Sequence, residues 1–243
     1  MTKKSSKIFF ILVAVSFLNA CGIEDVPFLD PIPEGNISRG LANTATVRIP
    51  DDNDLTFTHF AIYYKIYVSD IDSDTPLNIL NAINPTLASD WAAISPHIDS
   101  ETFTNTNMGD LFRGRRYYQL LLQDEIINAV LSTSVFNSTL IFNFPLVRGT
   151  PTMTIGGTSY ILWRSNGLGA FEPLPDRYFR NRPELTETID ANINADVAPR
   201  ANLDPGARIF TYAAMFIVAV GGVGQVIHYS TPALINIFRL PDG

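Results

Sequence analysis

The feature that most constrains this chain is a run of alternating residues at Thr56–Ser69 (TFTHFAIYYKIYVS). Its even positions Phe60, Ile62, Tyr64, Ile66 and Val68 form one apolar face. Its odd positions His59, Tyr63, Lys65, Tyr67 and Ser69 form an amphipathic one. Period two is the signature of a strand, and this pattern predicts one face on a core and the other half-solvated. A second run, Ile209–Val220 (IFTYAAMFIVAV), is apolar on both faces, as a central strand requires. With 12 residues it is too short to span a bilayer as a helix, which takes about 20.

The rest of the chain extends this strand reading. Thr44–Ile49 (TATVRI) is β-branched and stops at Pro50, and Asp51–Asp54 is a turn cluster. Thr139–Leu146 and Thr158–Arg164 read as strands. Gly221–Gly224 (GGVG) reads as a turn, with Gln225–Ser230 and Ala233–Leu240 as the last two strands. Pro76–Ile94 has helical spacing (Leu77, Leu80, Ile83, Leu87, Trp91, Ile94), and Pro85 divides it into two short helices. Tyr117–Gln123 (YYQLLLQ) fits strand or helix. Ser95–Asp110, Ala170–Glu184 and Leu185–Pro205 read as loop or irregular. The expected fold is mainly β: an antiparallel sandwich over residues 41–243, with an inserted region at about 76–205 that contains the short helices.

Two stretches sharpen that expectation. Tyr64–Ser69 (YKIYVS) resembles the third strand of fibronectin type III domains. Phe216–Gly222 (FIVAVGG), with Ser230-Thr231-Pro232 and a last strand, resembles their final hairpin. The resemblance implies a fibronectin type III or Ig-like sandwich with about 100 residues inserted between the matching strands.

The N-terminus reads as an address. Lys3, Lys4 and Lys7 make a positive n-region, and Ile8–Leu18 (IFFILVAVSFL) is an apolar run of signal-peptide length. Leu18-Asn19-Ala20-Cys21 follows and resembles the lipobox of bacterial lipoproteins, with the chain's single cysteine where the motif needs it. The resemblance implies removal of residues 1–20, covalent lipid on Cys21 as the only attached group, and a membrane as partner. Two or more acyl chains give a firm anchor at ~0.8 kcal/mol per buried CH₂. No aspartate follows the cysteine, so the resemblance points to the outer membrane, facing the periplasm or the cell surface. Residues 21–40 then read as the lipidated cysteine and an extended tether, with Pro27, Pro31 and Pro33 opposing helix. The whole pattern is similar to surface lipoproteins of spirochaetes, a family that supplies no activity.

Charge excludes one class of partner. Without residues 1–20 the chain has 14 basic and 24 acidic residues, a formal net charge of −10, and Lys65 is its only lysine. Nucleic acid needs a basic face, so it is not an expected partner. A single cysteine excludes a disulfide framework and a cysteine-rich zinc site.

Catalytic and cofactor motifs are weak. His59, His97 and His228 are far apart and form no i,i+4 pair, so no metal site is expected. Asp70, Asp72 and Asp74 start like a calcium loop, but Thr75 and Asn81 stand where an EF-hand needs Gly and Glu. Two solvated turns, with Asp51, Asp52 and Asp54 in the other, are the plainer reading. Gly157-Thr158-Ser159-Tyr160-Ile161 lacks the closing glycine of a nucleophile elbow. The GGVG turn precedes a β-prone segment and not the helix that a dinucleotide site requires.

The arginine–aromatic clusters are more distinctive. Arg113, Arg115, Arg116, Tyr117 and Tyr118 form one; Arg177, Tyr178, Arg180 and Arg182 form another. Arginine forks bind carboxylate or sulfate, and aromatic rings stack on sugars, so the clusters form a candidate ligand surface for an acidic glycan or a protein partner. Solvated turns paired to the chain's own carboxylates are the alternative. The sequence as a whole favours a lipid-anchored, non-enzymatic binding module. A structural envelope-assembly lipoprotein is the second reading. A glycan-acting enzyme with Trp91 or Trp163 as sugar platform is the third.

Overall fold

The computed structural model describes residues 29–40, 43–51, 57–69, 117–123, 127–164, 178–179, 196, 208–223 and 226–241. The described residues are mainly antiparallel β. In chain order the strands are β1 (Ile37–Gly40), β2 (Thr44–Arg48), β3 (Phe57–Ser69), β4 (Tyr118–Gln119), β5 (Leu121–Leu122), β6 (Thr139–Asn143), β7 (Thr152–Ile155), β8 (Thr158–Trp163), β9 (Phe210–Val223), β10 (Val226–Tyr229) and β11 (Ala233–Arg239). One helical turn, α1 (Ile127–Val130), precedes a 3-10 turn at Thr133–Val135.

The two long runs of the sequence pair with each other. β3 lies antiparallel to β9 over its whole length, from Phe57 opposite Gly221 to Ser69 opposite Phe210, with one irregularity between Phe57 and His59. The other edge of β9 is shared. β10 covers its end at Val220–Val223 and β11 covers Tyr212–Ile217. Between them Ser230 keeps the ladder closed: its amide donates to the Ala219 carbonyl, and its hydroxyl accepts from the Ala219 amide, both at 2.9 Å.

The first sheet has the order β1-β2-β6-β7-β8-β5. Its register separates two faces. Arg39, Ala45, Phe142, Met153 and Tyr160 stand opposite one another across five strands, and the central three are buried. Ser38, Thr46, Ile141, Thr154 and Ser159 form the adjacent row on the outer face. Gly40, Thr44, Asn143, Thr152 and Ile161 form the next outer row. Gly156 and Gly157, both at positive φ, close the two-residue β7–β8 hairpin, where a Cβ at either position would be strained.

The inner faces of the two sheets share one core. Val47, Leu140 and Phe142 from the first sheet meet Ile62, Ile66, Met215 and Phe238 from the second. The rings of Phe144 and Phe238 stack across the interface at 4.2 Å and 13°. At one lateral edge the chain itself closes the gap. Tyr118–Gln119 pairs with β3, Leu120 donates to the Ile62 carbonyl at 2.8 Å, and Leu121–Leu122 pairs with β8 in the first sheet. At the other edge side chains do the bridging. The Arg39 guanidinium binds the Leu234 carbonyl, and Asn236 donates to the Thr44 carbonyl at 3.3 Å. Buried Asn43, at φ +55°, donates to the Phe144 carbonyl (2.9 Å) and the Arg239 carbonyl (2.7 Å) and accepts from the Arg239 amide (2.9 Å).

Several expectations change. The odd face of β3 is not half-solvated: Tyr63, Lys65, Tyr67 and Ser69 are all buried, in a second cluster on the far side of the β3–β9 pair with Tyr117, Tyr212 and Phe216. The extended tether expected up to residue 40 ends earlier. Leu29 and Ile32 are core residues, and Ile37–Gly40 is already a paired strand. Residues 76–205 are not only an insertion, because they supply β4 to β8 and most of the first sheet. Tyr117–Gln123 is extended, split between two sheets. The strand in Thr139–Leu146 ends at Asn143; Phe144 still donates to the Asn43 carbonyl at 3.2 Å, and Pro145 has no amide to carry the ladder on. β9 continues through Gly221 and Gly222 to Val223, which stands opposite Val226, so the first three residues of the GGVG run are strand and not turn. The helices expected in Pro76–Ile94 lie outside the described residues.

Asn43 combines three side-chain hydrogen bonds with a left-handed backbone. Asn43→Ala is therefore expected to cost about 3 kcal/mol in urea denaturation, and Asn43→Gly measurably less, because glycine removes only the bonds.

Candidate functional site

The described charged cluster sits at one end of the shared core and follows from strand parity. Tyr160 and Leu162 point inward from β8, so Arg164, one residue past the strand, points inward as well. It is 2% exposed. Asp196, fully buried, receives Arg164 Nε on Oδ2 at 2.8 Å and Arg164 Nη2 on Oδ1, a two-point fork. Tyr64, inward on β3, donates its hydroxyl to the same Oδ2 at 2.8 Å. The Asp196 carbonyl accepts the Ile66 amide at 2.9 Å. Phe179 wedges edge-on against Tyr64 (4.9 Å) and Phe144 (5.8 Å), walling the ion pair with aromatic rings.

Burial alone pushes the Arg164 guanidinium toward losing its proton. The charge and hydrogen bonds of Asp196, with those of Tyr64, outweigh it, and the net direction is upward. Arg164 thus stays charged at every accessible pH. Its fork is committed to Asp196, so the cluster works as a clamp: it ties residues 164 and 196 to the middle of β3.

A second polar group lies on the other face of β3. Lys65, 4% exposed, places Nζ 5.6 Å from the Tyr67 ring centre and 5.4 Å from that of Tyr117. The Tyr67 and Tyr117 hydroxyls share a 2.8 Å hydrogen bond, and Tyr117 meets Phe216 edge-on.

The candidate ligand residues separate accordingly. Tyr117 is a buried core residue and is removed from the proposed surface. Tyr118 is half-buried in β4, packed on the shared core. Tyr178 is half-buried, bridges to Trp163 and meets its ring edge-on at 6.5 Å and 89°. Arg113, Arg115, Arg116, Arg177, Arg180 and Arg182 lie outside the described residues, as do Leu18, Asn19, Ala20 and Cys21. So do His97 and the Asp70–Asp74 trio; Asp51 is exposed. Among the described residues no three His, Cys, Asp or Glu side chains gather where they could hold a metal ion.

His59 is half-buried where β3 bridges Ser132, and its Nδ1 lies 3.0 Å from the Thr58 hydroxyl. Desolvation lowers its pKa below the usual 6.5.

Sequence reasoning did not find the Arg164–Asp196 pair, because the two residues are 32 apart and only the fold joins them. It also passed over the outer face of the first sheet. The signal was present there as threonine at alternate positions, Thr44 and Thr46, then Thr152 and Thr154. Comparison with protein-family models, with curated proteins and with solved structures finds no match for this chain.

Two expectations follow. Asp196→Ala leaves a buried guanidinium without its counter-charge and is expected to cost about 3–5 kcal/mol in urea denaturation. The apolar pair Arg164→Met with Asp196→Leu is expected to recover much of that loss, since the double replacement strands no charge. For His59 the folded pKa lies below the unfolded one, so folding favours the neutral ring. Its contribution is fully present above pH 6.5 and is lost as pH falls through the lowered folded value. Thermal melts from pH 8 to pH 5 should show a steeper decline for the native chain than for His59→Gln.

Proposed function

We propose that this chain is a lipid-anchored protein of the bacterial cell envelope whose β domain is a non-enzymatic binding module. The observation that carries the reading is Leu18-Asn19-Ala20-Cys21 behind a lysine-tipped apolar run of 11 residues. The proposed site is the outer membrane, with the domain facing the periplasm or the cell surface. Seven residues lie between Cys21 and Leu29, the first described core residue, which makes eight Cα–Cα steps. Covalent geometry lets them reach about 28 Å at most, so the domain stays close to the bilayer surface.

The domain reading is an Ig-like or fibronectin type III-like sandwich. Strand neighbours support it. The order β4-β3-β9-β10, with β11 beside β10 on β9, matches the C, F and G strands of such domains, and β1-β2-β6 matches A, B and E. β7 occupies the place of D beside E but follows it in the chain, which is where this fold departs from the family. Such sandwiches serve as scaffolds that hold recognition surfaces. The arginine-rich stretches around Arg113–Arg116 and Arg177–Arg182 are the proposed contact for an acidic glycan or a protein partner, with Tyr118 and Tyr178 as their half-buried aromatic neighbours.

The anchor is tested by radiolabelled palmitate incorporation and membrane fractionation of the native chain beside Cys21→Ala. The expected result is a labelled, membrane-bound native protein and an unlabelled, soluble variant. Equal labelling and fractionation of the two would end the reading.

A further inference from the structure

We infer that the outer face of the first sheet is a docking surface for an uncharged, hydroxyl-rich polysaccharide chain. The inference rests on the binding-module reading of the domain but not on the lipid anchor.

The face is built from the two outer rows of the β1-β2-β6-β7-β8 register. Four threonines (Thr44, Thr46, Thr152, Thr154) flank Ile141 and Asn143 at its centre. β6 separates the β2 threonines from those of β7, so the two pairs stand about 9.6 Å apart across the sheet, and the hydroxyls within each pair about 6.8 Å apart along it. Threonine is branched at Cβ, so its hydroxyl is held in few rotamers and loses little freedom when a ligand binds. Each hydroxyl both donates and accepts, which matches the hydroxyl groups of a sugar. Ile141, 44% exposed, gives the C–H face of a sugar ring an apolar contact in the middle of the polar rows.

Charge separates this face from an ordinary solvated one. The chain carries 24 Asp and Glu, and none falls in either outer row. A solvated sheet face that is merely kept soluble mixes both signs of charge. Here the carboxylates are kept off both rows, and the charge beside them, exposed Arg48 opposite Thr139, lies one row away, so the two rows themselves present no ion that an uncharged ligand would have to desolvate. Size points the same way. Five strands by two or three residues cover roughly 300–400 Å², well under the ~800 Å² per partner of a stable protein interface. A flat patch of that extent suits a few sugar units of a longer chain.

The test is retention of the full-length protein on amylose, chitin and cellulose matrices. The native chain is expected to be retained on at least one. Thr46→Asp with Thr154→Asp places a carboxylate on each side of Ile141 and should reduce retention about tenfold at an unchanged Tm. Thr46→Ser with Thr154→Ser keeps the hydroxyls and should retain binding within about threefold. If the aspartate pair lowers Tm, Ser38→Asp with Asn143→Asp, at two exposed positions, takes its place. Failure to bind any of the three matrices overturns the inference, and so does retention that ignores the aspartate substitutions. Cys21→Ala should leave retention unchanged, which separates failure here from failure of the anchor.

Discussion

The antiparallel pairing of β3 with β9 is the constraint on which the two sheets depend. Both of its faces are buried, one against the first sheet and one in the Tyr67–Tyr117–Phe216 cluster. A strand solvated on one side can slip register and expose a few apolar groups to water. Here a slip of β3 by one residue would turn Lys65 and Tyr67 into the core occupied by Phe142 and Phe238, and would move Ile66 out of it. The register is therefore fixed from both sides. The small residues Ala219, Ala214 and Ala213 in β9 stand opposite the large Phe60, Lys65 and Ile66 of β3.

Around that pair, the remaining problem is unpaired edges, and the chain solves it with short pieces. The outer edge of β3 is covered in three places: Leu131 accepts the Phe60 amide, Tyr118–Leu120 covers the middle, and the Asp196 carbonyl accepts the Ile66 amide. Within the described residues β4 is only Tyr118–Gln119, so no new edge of comparable length to β3 appears there. The same segment that covers β3 continues into the first sheet, which makes the two sheets one hydrogen-bonded surface along that side. Opposite it, Asn43 performs the equivalent task with a single side chain.

How much of this was legible in the sequence depends on how local each signal is. The alternation in Thr56–Ser69 and the apolar run at Ile209–Val220 identified the central pair, because a long strand prints its period directly. β1 and β7 were not read as strands, and β4 and β5 lie in a segment that fitted strand or helix: pieces of two to four residues carry too few repeats to show a period. The error over the odd face of β3 has a physical origin too. Tyrosine and lysine read as amphipathic, yet a tyrosine whose hydroxyl meets another tyrosine, and an ammonium set over two rings, can both be buried. The Arg164–Asp196 clamp had no sequence signal at all. Parity aims Arg164 inward, but only the path of the chain brings Asp196 to it. Of the candidate ligand residues, Tyr117 was misplaced for the same reason as Lys65, and its arginine neighbours lie outside the described residues.

The burial of Lys65 has a practical corollary. In a chain processed and acylated at Cys21, as proposed, the α-amine is blocked and Lys65 is the one remaining primary amine. It lies beneath two tyrosine rings in the interior of the domain. Amine-directed reagents, whether fluorescent esters or lysine crosslinkers, would then find almost nothing to modify on the native protein, and surface-labelling surveys built on them would overlook it. Modification would begin only as β3 separates from its neighbours. The same residue that makes the protein silent to those reagents would then report its unfolding without any engineered probe.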